Sequence, residues 1–193
     1  DFTQWRLSSF YNNKINSRLT FRTGIMLQEL QLKTLVKTRE NVPDFDGDGY
    51  PDWWTSRDFN GNFLLTEGYA QAQYRLTQNL TLNGGVHAQH FDFTNDFVAE
   101  PRVALNWQVA PRSKINLGYG LHHQTQPLPV FLFRQQLQDG SSIPTNENLA
   151  FTRNQHLVLG YDFKPAADWR LKTELYYQWL SNVPVDGYAS SFS

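Results

Sequence analysis

Tight turns and long connections alternate along this chain, and they separate segments whose side chains alternate with a period of two. Beyond Pro101, the residues Val103, Leu105, Trp107 and Val109 alternate with Ala104, Asn106 and Gln108. Ala110-Pro111-Arg112-Ser113 then turns the chain, and Ile115, Leu117, Tyr119 and Leu121 alternate with Asn116, Gly118 and Gly120. Neighbouring residues of a strand point to opposite faces, so this hairpin has one apolar face and one polar or small face. The pattern recurs in 157–163 and 169–179 around the turn 164–168, and in 70–76 and 80–88 around 77–79. Near the start, Trp5 and Leu7 predict a strand ending near Tyr11. Asn12-Asn13-Lys14 turns it, and Leu19, Phe21, Ile25 and Leu27 share one face of the return.

These segments amount to about eight strands. The tight connections fall near 12–15, 77–79, 110–114 and 164–168, and the long ones near 31–65, 91–99 and 123–154. A soluble sandwich has no reason to keep every second connection short. A membrane barrel does, because its periplasmic turns are short and its extracellular loops long. Each segment can also supply the 9–11 or so residues that cross a bilayer at barrel tilt. The expected fold is all-β, an antiparallel up-and-down transmembrane β-barrel segment, with residues 1–193 as one partial barrel domain. Its long extracellular loops are expected near 31–65 and 123–154. The strand-like opening Asp1-Phe2-Thr3-Gln4-Trp5 and the ending Ser190-Ser191-Phe192-Ser193 read as cuts within a longer barrel.

Composition agrees at the points where it discriminates. Aromatic residues reach 15%, a load that suits the interfacial girdles of membrane barrels. Trp107 and Trp169 beside tight turns, Tyr177 and Trp179 at a far strand end, and Phe91 and Phe93 just past theirs are the expected girdle positions. Mean hydropathy is low, −0.55, as alternating strands require, and no run of 18 apolar residues offers a transmembrane helix. Gln71, Gln73, Asn83, Gln89, Asn106 and Asn116 are expected to face a wet lumen. The formal net charge of −1 gives no electrostatic case for nucleic acid. With no cysteine, disulfides and thiolate metal sites are excluded. No nucleophile elbow, phosphate loop or zinc-protease motif is present, so no catalytic residue is assigned and an enzyme is not expected. His122 and His123 are neighbours on a strand and diverge, as do His87 and His90, so neither pair reads as a metal site. The apolar stretch Val130-Phe131-Leu132-Phe133 is expected to pack against neighbouring loops.

From Glu100 onward the sequence resembles the TonB-dependent outer-membrane receptors of Bacteroidetes-type bacteria. The resemblance is carried by Glu100-Pro101-Arg102, by Leu117-Gly118-Tyr119-Gly120-Leu121-His122-His123-Gln124-Thr125-Gln126-Pro127-Leu128, and by Phe151-Thr152-Arg153-Asn154-Gln155-His156. Val158-Leu159-Gly160-Tyr161-Asp162, Glu174-Leu175-Tyr176-Tyr177-Gln178, Asn182-Val183-Pro184-Val185 and the final Ser190-Ser191-Phe192-Ser193 continue it. The first half matches more loosely, through hairpins such as Tyr69-Ala70-Gln71-Ala72-Gln73-Tyr74. The resemblance implies a barrel of about 22 strands around an N-terminal plug, set in outer-membrane lipid and taking up a scarce, bulky ligand. It also implies energy supplied through the TonB complex. The plug and the TonB-contacting segment have no counterpart among these residues, so no energy-coupling role is carried over.

The first long loop holds a separate signal. In Asp44-Phe45-Asp46-Gly47-Asp48-Gly49-Tyr50-Pro51-Asp52, acidic oxygens fall at positions 1, 3, 5 and 9, with glycine at 6. Calcium takes six to eight oxygen ligands in a flexible loop, and this spacing lets alternate side chains converge. The candidate ligands are Asp44, Asp46, Asp48, the Tyr50 carbonyl and Asp52. The loop is similar to those of thrombospondin type 3 repeats and, less closely, of EF-hands. Position 12 is Thr55 and not the bidentate Glu, which lowers the expected affinity or demands a ligand from elsewhere, such as Asp58. Bound calcium would stiffen the loop and order Trp53 and Trp54. The plainer reading is a solvated acidic turn. Two other whole-chain readings stand beside the receptor: a complete eight-stranded barrel with a structural or adhesive role, and a soluble calcium- and carbohydrate-binding β-domain with two sheets face to face.

Overall fold

A computed structural model describes residues 1–39, 44, 47–137 and 141–185. Eight strands form one antiparallel sheet in chain order: β1 (Phe2–Lys14), β2 (Leu19–Thr38), β3 (Trp54–Arg75), β4 (Leu80–Phe91), β5 (Asp96–Ala110), β6 (Ser113–Gln124), β9 (Thr152–Ala166) and β10 (Trp169–Ser181). A short helix α1 (Leu128–Phe131) and a small hairpin of β7 (Arg134–Gln136) and β8 (Ser142–Pro144) lie between β6 and β9. Each main strand pairs with its chain neighbour and no crossover occurs. The up-and-down expectation is met.

Register puts the two predicted faces where alternation requires. Leu82, Leu105, Leu117, Leu159 and Leu175 are successive cross-strand partners on the convex face. Around them Trp5, Trp107, Trp169, Tyr177 and Trp179 are exposed, near one strand end or the other, as girdle residues should be. The concave face carries the expected Gln73 opposite Asn83, Gln71 opposite Gly85, and Asn106 opposite Asn116. Gln89, opposite Glu67, shares it.

Three expectations change. β2 and β3 run 20 and 22 residues, so the connection expected near 31–65 shrinks to 39–53. At about 3.3 Å per residue and barrel tilt, these strands reach roughly twice the height of an apolar band of about 25 Å. Polar pairs such as Gln31 with Asn62 and Lys33 with Asn60 continue the ladder above that band. The long loop expected near 91–99 is a four-residue turn, 92–95. Asp92 caps it by accepting the Leu64 N–H at 2.7 Å, and Asn95 takes φ 54°, a conformation asparagine tolerates. Finally, Phe91 and Phe93 are not girdle residues. Phe91 faces inward and is buried, and both rings pack in a cluster with Phe59, Phe63 and Phe131.

That cluster is the densest apolar region among the described residues. Phe63, Phe91, Phe131, Leu132 and Phe151 form its buried centre. Phe131 and Leu132 come from α1 and its end, which confirms packing as the role of the apolar stretch 130–133. The outer half of the concave wall therefore carries its own small core, built from strand aromatics and the arm 124–133.

β1 and β10 are the edges of the sheet and do not pair with each other. Both are exposed along their whole length. This excludes closure of these eight strands into a small barrel. Among the described residues the one other sheet is the two-stranded hairpin of β7 and β8, too small to form a second layer, which also excludes the sandwich.

Candidate functional site

The concave face encloses a trough of about 840 Å³. Its wall includes Arg22, Gln71, Gln73, Asn83, His87, Arg102, His122 and His156, with no carboxylate among the lining residues. Gly85, Gly118 and Gly120 form part of the floor. A Cβ at Gly85 would meet the Ala70 carbonyl oxygen and the Gln71 Cβ at 2.7 Å, closer than van der Waals contact. Gly120 leaves the space that the His122 ring uses: a Cβ there would meet His122 Nε2 at 2.9 Å. The His122 and His156 rings lie 4.8 Å apart and nearly perpendicular. His156 Nδ1 is 2.8 Å from the Gln178 amide.

Beside the trough lies a carboxylate that the sequence marked only within the motif Glu100-Pro101-Arg102 and not as a site residue. Glu100 is 1% exposed, and a buried carboxylate persists only when its oxygens are fully engaged. One oxygen accepts from the His87 ring (Nδ1, 2.8 Å) and from Arg102 (2.8 Å). The other accepts from the Gln89 amide (2.7 Å) and the His123 backbone N–H (2.5 Å). Four donors saturate its acceptor sites. His87 extends the network, with Nε2 3.5 Å from Glu67. Alternation could have found part of this, since Glu67, His87, Gln89, Glu100 and Arg102 share one face. The contact from His123 could not be found that way, because it depends on how two strands diverge.

The pair His87 and His90 behaves as period two requires: His87 faces the trough and His90 lies on the other face beside Asn95. His122 also lines the trough, but the His123 ring does not diverge from this side as expected: its Nδ1 lies 3.6 Å from Glu100, and its backbone N–H donates to the same carboxylate. Among the described residues no group of three or more His, Asp or Glu converges on a point that would hold a metal ion.

In the acidic loop, Phe45 and Asp46 fall outside the described residues. The Asp44 carboxylate accepts from the Gly47 N–H at 2.6 Å and the Gly49 N–H at 2.8 Å, and Asp48 accepts from the Tyr50 N–H at 2.8 Å. Gly47 and Gly49 take φ of 77° and 87°, where a side chain would strain the turn. Asp58 lies within β3 opposite Leu35 and not in the loop. Arg39 sits 4.6 Å above the Trp53 ring, and Trp54 packs edge-on against Phe133.

The sequence matches the family described as TonB dependent receptor-like, beta-barrel, over residues 1–193. Among solved structures it is similar to the siderophore receptor PirA from Pseudomonas aeruginosa, with a TM-score of 0.68 and 13% identity over 92% of this chain and 32% of that one. It is also similar to a variant of the ferric enterobactin receptor PfeA from Pseudomonas aeruginosa, with a TM-score of 0.67 and 14% identity over 92% of this chain and 26% of that one. The chain thus spans a third or less of these receptors. Among curated proteins, none matches.

Proposed function

This chain belongs to the TonB dependent receptor-like β-barrel family of the bacterial outer membrane, and on that premise we propose that it forms one section of the wall of a receptor that takes up a scarce, bulky ligand. The observation that carries this reading is the contrast between faces. The convex face is a band of leucines bounded by aromatics, suited to outer-membrane lipid. The concave face is polar and floored by glycine, suited to a wet passage. Edges β1 and β10 pair with further strands of the same barrel, since unpaired edges do not persist in hydrocarbon. Coupling to TonB runs through parts of the protein outside this chain. The kinship to Bacteroidetes-type receptors belongs to the same proposal.

The test uses the complete receptor in its outer membrane. Gly118→Trp places a large ring in the trough, where a Cβ has only ordinary contacts, 3.9 Å or more away. Cells carrying it should lose most of the uptake of whichever ligand the parent imports, across a panel of ferric siderophores, cobalamin, glycans and peptides. Surface level and heat-modifiable migration should stay as in the parent. If deleting the whole gene leaves import of every panel member unchanged, the uptake reading is wrong.

We also propose that calcium binds the outer loop through Asp44, Asp46, Asp48, the Tyr50 carbonyl and Asp52. The support is the ligand spacing together with a turn already closed by Asp44 around two positive-φ glycines. Calorimetry on the receptor should show calcium binding in the millimolar range or tighter, weakened by Asp48→Asn. An absence of heat over that range would remove calcium from the account.

A further inference from the structure

The ladder between β5 and β6 stops partway up. It runs from Ala110 and Ser113 to Arg102 and Gly120. Beyond that point β5 continues on β4 as far as Asp96, and β6 continues on β9 as far as Gln124. The upper ends of β5 and β6 therefore lie in one sheet without ladder bonds between them. At His123 the backbone groups that such a ladder would use are both taken by side chains. Its N–H donates to Glu100 at 2.5 Å, and its carbonyl accepts from the Gln89 amide at 3.2 Å. Gln89 also donates to Glu100 at 2.7 Å. Glu100 and Gln89 are both buried, so water does not supply these bonds.

The segment that leaves the top of β6 is the arm 124–133. Its Phe131 and Leu132 close the aromatic cluster over Phe63 and Phe91. Its root is tied to β9 through Gln126, which donates to Thr152 at 2.7 Å. The His123 ring lies edge-on to Phe151, 6.4 Å away. The seam and the root of the arm thus meet at His123, Gln126 and Phe151.

We infer that Glu100 and Gln89 form a side-chain latch across the split upper seam of β5 and β6, and that this latch positions the arm 124–133 over the aromatic wall. These are positioning residues, acting on the arm through His123. The lower seam is held by ordinary ladder bonds and does not depend on them. An amide cannot replace the carboxylate, because four donors converge on Glu100 and the NH₂ of glutamine would face some of them. The inference needs only the sheet and does not rest on ligand uptake.

The experiment is hydrogen–deuterium exchange by mass spectrometry on the complete receptor in detergent micelles, comparing the parent with Glu100→Gln and Gln89→Ala. Losing these partners leaves backbone groups of His123 unpaired. Peptides covering 121–133 should exchange about ten- to a hundredfold faster in Glu100→Gln, and by the smaller end of that range in Gln89→Ala. Peptides covering 103–118 should not change. Gln89→Ala keeps the carboxylate, so it reads the latch even if the first variant does not assemble. Unchanged exchange at 121–133 in the variants that fold would overturn the inference, as would equal acceleration of 103–118. Either result leaves the uptake reading untouched, because that reading stands on ligand import.

Discussion

Leu159→Arg should destabilise the barrel in a bilayer by about 2–4 kcal/mol. Leu159 lies in mid-strand on the convex face, between its partners Leu117 and Leu175. On the proposed reading its exposed side chain meets lipid, where an arginine finds neither water nor a counter-charge. Gln71→Arg changes the concave face instead, in a trough that already holds Arg22 and Arg102, and should cost less than about 1 kcal/mol. The measurement is denaturant unfolding in vesicles, monitored by tryptophan fluorescence. Equal destabilisation by the two variants would mean that the faces are wrongly assigned to lipid and lumen. Hydropathy averages cannot separate the faces; alternation and register do.

Phe63→Ala should cost about 3–5 kcal/mol, the second large effect. Phe63 has no exposed surface. Its ring stacks on Phe59 at 4.7 Å between centroids, meets Phe93 edge-on at 5.0 Å and lies 6.0 Å from Phe91. Truncation leaves a cavity under α1 that the strands cannot close, because β3 is laddered to β2 at Phe63 and to β4 from Leu65. The loss should appear as lower heat stability in micelles and as release of the arm 124–133. Phe97→Ala is the control: Phe97 is 67% exposed on the convex face and contributes nothing to the cluster. If the two variants unfold at the same temperature, the cluster is not a core.

Most of the strand plan was legible along the chain. A period of two assigns each side chain to a face without knowledge of any partner, which is why Leu105, Leu117 and Leu159 could be placed on one face and Gln71, Asn83 and Asn116 on the other. Loop extent was less legible. The strand limits of β2 and β3 were set too short because their outer ends carry polar residues on both faces. Such residues look like loop until a partner strand supplies the ladder. The turn 92–95 was read as a long loop for the related reason that Asp96 and Glu100 do not resemble strand residues in isolation.

The functional core was less legible still. Phe91 looked like a girdle residue because its distance from a strand end was right, but its face was wrong. Phe63 and Phe93, together with Phe131 of the arm 124–133 folding back from far along the chain, bury Phe91. Glu100 entered the sequence reading only through the motif Glu100-Pro101-Arg102, with nothing to mark it as buried.

What the sequence by itself determined was the alternation: short turns between amphipathic strands, hence a sheet with one apolar face and one polar face. Alternation is local, since it follows from the geometry of successive residues. What only the tertiary structure decided was where neighbouring strands stop pairing. The ladder between β5 and β6 ends at Arg102 and Gly120, and beyond it the His123 N–H of β6 joins donors of β4 and β5 on the Glu100 carboxylate. The donors of β4 and β5 follow from a shared face, but the contribution of the third strand is a juxtaposition that no local pattern encodes.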